Sequence, residues 1–599
     1  MRGDTFISED KISGKAYDSR LARRLYKYLR PYMKLVVLGS LALLAGSGFQ
    51  LIEPYLVKVG IDDYMLTGDT KGLVGLLWIY LAVAVGDFVF GFAQAYITNY
   101  LGQRTMYDLR MDIFSHLQSL SLRYFDRNPV GRLVTRATGD VEVLNQLFST
   151  GLVTVIGDLA MIVGIMAAML FLHWKLALLT FSILPVLLVV TFIFRRKLRE
   201  AFRLVRARIA RITAFLQEAL SGMSVVQLFN QQEKTSAQFD VLNEKNMDAH
   251  LKTVFYYALF YPLMELIGAV ATAIILWYGG LQVMQGALSF GVLVAFIQYT
   301  AKFFRPISDL SEKYNIFQAA AASSERIFEL LDTQKIIPED DNPVWLDRVD
   351  GRVELRDVHF GYNRDEPVLN GVSFVAEPGE KIAIVGSTGA GKTTIINLLS
   401  RFYDIQSGEI TIDGTDIRKL SKKALRQNIG LALQDVFIFS GTVKSNIALG
   451  EKEPSMERVV ESAKAIGADE FIRRLPGGYD HVLSERGSTL SAGQRQLLSF
   501  ARVMYKSPRI LVLDEATSSV DTHTEHAIQQ ALELLISGRT SLVVAHRLST
   551  IRHVDRILVM HHGRIVETGS HDQLLAKRGI YFNLYKLQYK DQEVAAPEV

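Results

Sequence analysis

Long apolar runs fill the first half of the chain, and short alternating ones fill the second. The runs near Leu35–Tyr55, Leu73–Ile97, Leu152–Leu172, Leu176–Phe194, Val254–Tyr278 and Leu288–Phe304 approach the roughly 20 residues a helix needs to cross a bilayer. They predict six membrane-spanning helices, the last being the shortest. The connections alternate in character. Those after the first, third and fifth runs are short, as in "LHWK" at Leu172–Lys175 or the uncharged "GGLQVMQGALS" at Gly279–Ser289. Those after the second and fourth are long and basic, as in "RRKLREAFRLVRARIARI" from Arg195 to Ile212. Positive charge accumulates on the cytoplasmic side of membrane proteins, so both long connections and both termini are expected in the cytoplasm.

Each long connection keeps helical periodicity on both sides of a break, which predicts two helices leaving the membrane and joined by a tip. About 25 residues per arm at 1.5 Å rise would reach roughly 35–40 Å below the bilayer, far enough to meet another domain. The first tip falls in "SLSLRYFDRNPVGRL", with Pro129 and Gly131 as breakers, and the second in "SGMSVVQLFNQQEK". Ahead of the first span, "SRLARRLYKYLRPY" sets Leu21, Leu25, Tyr28 and Leu29 at helical spacing among Arg20, Arg23, Arg24, Lys27 and Arg30. That pattern predicts an amphipathic helix on the cytoplasmic membrane surface. The polar stretch before it has no apolar core, and a cleavable signal is not expected there.

Helical periodicity persists through "AAAASSERIFELL" and stops at "DTQKIIPEDDNPVWLD". From Gly351 the pattern becomes that of an α/β domain, with β-rich segments such as "KIAIVG" and "ILVLDE" alternating with helical stretches. The expected organisation is therefore a cytoplasmic N-terminus with the amphipathic helix (1–31), an all-α membrane domain with long helical extensions (32–330), a linker (331–350), an α/β nucleotide-binding domain (351–590) and a tail (591–599). Charge and cysteine content narrow the function. A formal net charge of +4 over 599 residues gives no footprint for nucleic acid. The absence of cysteine excludes disulfides, thiolate metal sites and thiol catalysis.

The strongest chemical pattern is "GSTGAGKTT", Gly386 to Thr394, directly after the strand "KIAIVG". Glycines at this spacing let backbone N–H groups wrap phosphate oxygens; Lys392 reaches the outer phosphates and Thr393 offers a hydroxyl to Mg²⁺. The following helix turns its positive end to the same anions. A second element, "RILVLDEATSSVD", ends an apolar strand in two acids: Asp514 suits the Mg²⁺ shell, and Glu515 suits polarising an attacking water.

In order, the phosphate loop, the glutamine of "LALQDVFIFSGTVKSNI", "LSAGQRQ", "LVLDEATSSVD" and "LVVAHRLST" resemble the nucleotide-binding domain of ATP-binding cassette transporters. The resemblance covers essentially the whole chain: six spans with long cytoplasmic arms resemble a half-transporter of the exporter branch, and "YFDRNPVGRLVTRATGDVEVL" is similar to that branch's first intracellular loop. It implies ATP and Mg²⁺ as cofactors, nucleotide binding by Gly386, Ser387, Thr388, Gly389, Ala390, Gly391, Lys392, Thr393 and Thr394, and Mg²⁺ held by Thr393, Gln434 and Asp514. It implies catalytic roles for Glu515, His546, Gln434 and Lys392, and adenine stacking by Tyr362 of "HFGYN". Leu490, Ser491, Ala492, Gly493 and Gln494 match the signature loop, which acts on ATP bound by a partner subunit. Asp521 matches the loop joining the two sites, and "SERGSTL" matches the exporter segment that meets the intracellular tips.

The family's usual signature is LSGGQ, and here Ala492 replaces the first glycine. If that position needed a positive φ, the methyl group would cost about 1 kcal/mol or more; with a negative φ it would be nearly silent. The substitution slightly favours a heterodimer of unlike half-transporters over a homodimer. The resemblance further implies ATP-driven export of amphipathic or hydrophobic small molecules across the cytoplasmic membrane by alternating access. A lipid flippase of the same architecture is the alternative, and an ATP-gated channel or regulatory subunit a more distant one. Acids in or near the spans, Glu53, Asp87, Asp158 and Glu265, stand where charge is expensive, and Asp87, Asp158 and Glu265 are candidates to line a substrate cavity.

Overall fold

The computed structural model describes residues 19–334, 336–346, 348–363, 365–514, 522–545 and 551–588. The chain forms two compact units: residues 1–117 with 131–333, and residues 118–130 with 334–599.

The first unit is helical. Helix α1 (Ser19–Leu29) is the expected amphipathic element, followed by α2 (Met33–Val59) and α3 (Thr70–Ser119). Among the described residues, four helical stretches are long and apolar enough to cross a membrane: Ser19–Met65, Thr70–Ser119, Val130–Phe181 and Gln232–Met284. A shorter apolar stretch covers Phe290–Phe303. The run expected to form the fourth span is broken instead of continuous. Ahead of it, the chain turns at His173, whose φ of −163° and ψ of 100° are non-helical, inside the short connection expected between the third and fourth runs. One helix then ends at Phe181 and the next begins at Leu184 with a proline in its first turn, where the missing N–H of Pro185 leaves no intrahelical hydrogen bond unmade.

Both long connections have the expected form. After α3 comes the short helix α4 (Leu122–Arg127), which belongs to the second unit, and the chain returns from Val130 toward α5 (Leu152–Phe181). The second hairpin runs through α6 (Leu184–Ser221), a turn helix at Met223–Leu228 and α7 (Gln232–Ile274).

The last membrane-unit helix, α8 (Phe290–Leu331), is fixed at both ends. At its start, Asp62 accepts from Ser289 Oγ at 2.5 Å and from the backbone N–H of Gly291 at 2.7 Å. A Cβ on Gly291 would come within 2.5 Å of Lys58 O, so this approach needs glycine. At its end, Arg24 of α1 grips Asp332 through two hydrogen bonds of 2.5 and 2.8 Å and lies 4.2 Å over the Phe328 ring. That guanidinium holds the Asp332 carboxyl below its usual pKa. Between these ends, Phe296, Tyr299 and Phe303 pack against Met161, Ile165 and Met169 of α5.

The second unit is built on a six-stranded sheet and a smaller four-stranded one. The strands are β1 (Val353–Phe360), β2 (Leu369–Ala376), β3 (Lys381–Gly386), β4 (Ser407–Ile412), β5 (Thr415–Asp416), β6 (Ile429–Ala432), β7 (Gly441–Thr442), β8 (Val482–Leu483), β9 (Ile510–Asp514), β10 (Thr540–Val544), β11 (Arg556–His561) and β12 (Arg564–Gly569). The large sheet has the order β12-β11-β3-β10-β9-β6, parallel except for β12, and the small one β2-β1-β4-β5, antiparallel. Strands β9 and β10 are buried along their whole length, which explains their unbroken apolar sequence. The segment expected to be a linker packs onto this unit: Val344 bridges Leu420, and buried Arg401 donates to Pro338 O at 2.7 Å.

Candidate functional site

Sheet register brings the chemistry-bearing segments to one edge. Ile384 pairs with Val544, Val544 with Asp514, and Leu513 with Ala432. The phosphate-loop pattern, the acidic strand end and the loop holding Gln434 therefore all leave the sheet at its parallel C-terminal edge, where open α/β folds bind their ligands.

The loop from Gly386 to Gly391 runs into helix α9 (Lys392–Leu399). Its glycines are required by space and by backbone shape. A Cβ on Gly386 would lie 2.4 Å from Met560 O; Gly391 has φ +101° and a Cβ there would meet Leu369 Cδ2 at 2.7 Å. Ser387, Thr388, Gly389 and Thr393 are exposed, whereas Ala390, Gly391, Lys392 and Thr394 are buried. Lys392 Nζ curls back to donate to Gly386 O at 2.7 Å and Ser387 O at 3.1 Å. Burial lowers its pKa, and the nearby Asp514 carboxylate opposes that shift. Thr393 Oγ1 donates to Asp514 Oδ2 at 3.1 Å, so the hydroxyl and acid expected to share a cation already touch.

Gln434 is exposed just beyond β6. Tyr362 is half-buried; its hydroxyl lies 3.3 Å from both Thr394 Oγ1 and Asn397 Nδ2. Glu515, Asp521 and His546 lie outside the described residues. The cradle of amides, the single buried ammonium and the Thr393–Asp514 pair form a donor set that suits a nucleotide triphosphate with a hard divalent cation.

The signature-like loop meets helix α10 (Ala492–Lys506) through a capping box: Ser491 Oγ accepts from Gln494 N, and Gln494 Oε1 accepts from Ser491 N. Ala492 is the first helical residue and is exposed, and it is not among the residues with positive φ. Alanine therefore carries no left-handed strain there. Leu490 and Gly493 are buried beside it. Ala492→Gly is expected to change ATP turnover by no more than about twofold, which steady-state hydrolysis would check.

In the membrane unit, Asp158 is ion-paired with Lys313 of α8. Glu53 pairs with Lys302 of the same helix at 2.5 Å, and Asp87 accepts from Gln50 at 3.0 Å. Glu265 is exposed on α7. The structure thus disperses Asp87, Asp158 and Glu265 among different partners and surroundings. Lys302 and Lys313 went unnoticed in the sequence, where they sit in "TAKFFRPISDLSEKY"; the lysine inside the apolar run Leu288–Phe304 was the available signal.

An α/β unit with a phosphate loop, following a helical unit with stretches of membrane-crossing length, defines the class of ATP-binding membrane transporter halves. Residues 36–307 match the ABC transporter transmembrane region family, and residues 369–518 match the ABC transporter family. The chain is 41% identical over 586 residues to "Uncharacterized ABC transporter ATP-binding protein YknV" of Bacillus subtilis (strain 168), covering 98% of this chain and 97% of that one. It is 37% identical over 575 residues to "ATP-dependent lipid A-core flippase" of Syntrophus aciditrophicus (strain SB), covering 96% and 95%. With "Probable multidrug resistance ABC transporter ATP-binding/permease protein YheH" of B. subtilis it shares 39% over 523 residues, covering 87% and 77%. The chain belongs to the ABC transporter family, as an exporter-type half-transporter: a multi-pass membrane protein that binds ATP and couples its hydrolysis to transmembrane movement. Half-transporter architecture entails pairing with a second half.

Proposed function

We propose that this half-transporter exports amphipathic or hydrophobic small molecules across the cytoplasmic membrane, with its termini and ATP-binding unit in the cytoplasm. The observation that carries the substrate class is the pairing of charge inside the membrane unit. Glu53 with Lys302 and Asp158 with Lys313 cancel each other, which suits cargo that is mainly apolar over cargo selected by one strong charge. A second reading, lipid flipping, draws on the relative named as a lipid A-core flippase.

In the ATP site, the amides of Gly386 to Thr394 would hold the phosphates, Lys392 would neutralise the outer ones, and Tyr362 would stack on the base. Thr393, Asp514 and Gln434 would hold Mg²⁺, which when bound supplies charge compensation at the transferring phosphate. Glu515 would take a proton from the attacking water, while His546 holds the outer phosphate in place. Leu490 to Gln494 would act on the ATP of the partner half, and Asp521 would join the two sites. Because Ala492 carries no backbone strain, the partner can equally be a second copy of this chain.

The test is transport by the purified chain in lipid vesicles, comparing ATP-driven uptake of an amphipathic dye with transbilayer movement of a fluorescent phospholipid. Dye uptake that disappears in the Lys392→Ala form supports export of small amphiphiles. Lipid movement alone supports the second reading, and ATP turnover that drives neither refutes both.

A further inference from the structure

Helix α4 belongs with the nucleotide-binding unit, although the chain on either side of it belongs to the membrane unit. Three of its side chains hold the surroundings of Tyr362. Arg123 donates a guanidinium N–H to Tyr362 O at 2.9 Å, and Arg127 donates to Asn363 Oδ1 at 3.0 Å. Asp126 Oδ2 accepts from Tyr403 Oη at 2.6 Å. Tyr403 then stands perpendicular to the Tyr362 ring, with centroids 5.2 Å apart, and Phe360 packs edge-on against both rings.

Tyr362 is thereby fixed at three places: its carbonyl by Arg123, its ring by Tyr403 and Phe360, and its hydroxyl by Thr394 and Asn397. The first rests on α4 directly, and the second rests on it through the bond between Tyr403 and Asp126. Tyr403 is only 7% exposed. A phenylalanine would fill the same volume, so packing alone leaves its hydroxyl unexplained. Burial, and then Asp126, push the phenol's pKa up, so it keeps its proton and donates throughout the neutral range.

We propose that Arg123, Asp126 and Tyr403 are positioning residues for the base end of the ATP site. The affinity for ATP then depends on the tip of a hairpin whose arms continue into the membrane unit, while the hold on the triphosphate does not. This rests on the reading that Tyr362 stacks on the base.

The experiment uses the full chain in lipid. For Tyr403→Phe, which removes the hydroxyl while keeping the ring, for Asp126→Ala, which removes its acceptor, and for Arg123→Ala, it measures KM and kcat for ATP. It also measures inhibition by magnesium tripolyphosphate, a probe with no base. One hydrogen bond of ordinary strength predicts a KM raised about three- to tenfold, with kcat within about twofold and tripolyphosphate inhibition unchanged. An unchanged KM in Tyr403→Phe and Asp126→Ala overturns the proposal. So does an equal loss of ATP and tripolyphosphate affinity, or a fall in kcat alone, since α4 would then merely hold the unit together. Tyr362→Ala separates the two levels. An unchanged KM there overturns base stacking itself; a raised KM there with unchanged values in the tip variants overturns only the role of the tip.

Discussion

Replacing Lys392 with alanine is expected to lower ATP turnover by more than about a hundredfold, the scale lost when a charge-stabilising donor is removed from a reacting centre. The Lys392 ammonium is buried, and it donates to the carbonyls of Gly386 and Ser387, at the start of the loop it serves. It therefore both closes the cradle and brings positive charge to it. Arginine at the position would carry the charge but not the compact shape, and the planar guanidinium does not fit the curl back to Gly386 O. Hydrolysis rates of the alanine and arginine forms check both parts, and rates within tenfold of the parent would refute the assignment. Burial lowers the pKa of Lys392. Anionic phosphates would raise it again, so the ammonium form is favoured by binding.

Lys313→Ala is expected to destabilise the membrane unit by about 3–5 kcal/mol, the cost of leaving one partner of a buried ion pair alone. The two side chains of this pair are only 12% and 17% exposed, against 30% and 23% for Lys302 and Glu53, so the loss should be larger at Lys313 than at Lys302. Combining Lys313→Met with Asp158→Asn removes both charges and should recover most of the stability. Thermal unfolding in lipid nanodiscs, followed for the single and double variants, gives the comparison. If the double variant is no better than the single, Asp158 is not the partner whose isolation costs the energy.

The residues whose chemistry is contiguous along the chain are readable from the sequence alone. Gly386 to Thr394 form one unbroken pattern after a strand, and Asp514 ends the strand that register brings beside them. Contacts between distant segments were not readable. Lys313 lies 155 positions from Asp158, and no local pattern states which faces of α5 and α8 meet. The tip around Asp126 could be given a reach below the membrane but not the tyrosine it meets. At Ala492 the sequence posed a choice between two backbone shapes. The choice was settled by where α10 begins, one residue after Ser491. Hydropathy located the apolar runs but passed over Ser182 and Ile183, since a break of two residues before Pro185 leaves the average almost unchanged.

Helix α8 spans 42 residues, or about 63 Å at 1.5 Å per residue. It is tied at its first turn to Asp62 and just past its last to Arg24. A rod clamped at both ends cannot slide along its own axis without breaking one clamp. Turning it about that axis would part Lys302 from Glu53 and Lys313 from Asp158 together, so the two ion pairs hold its rotation as the end clamps hold its position.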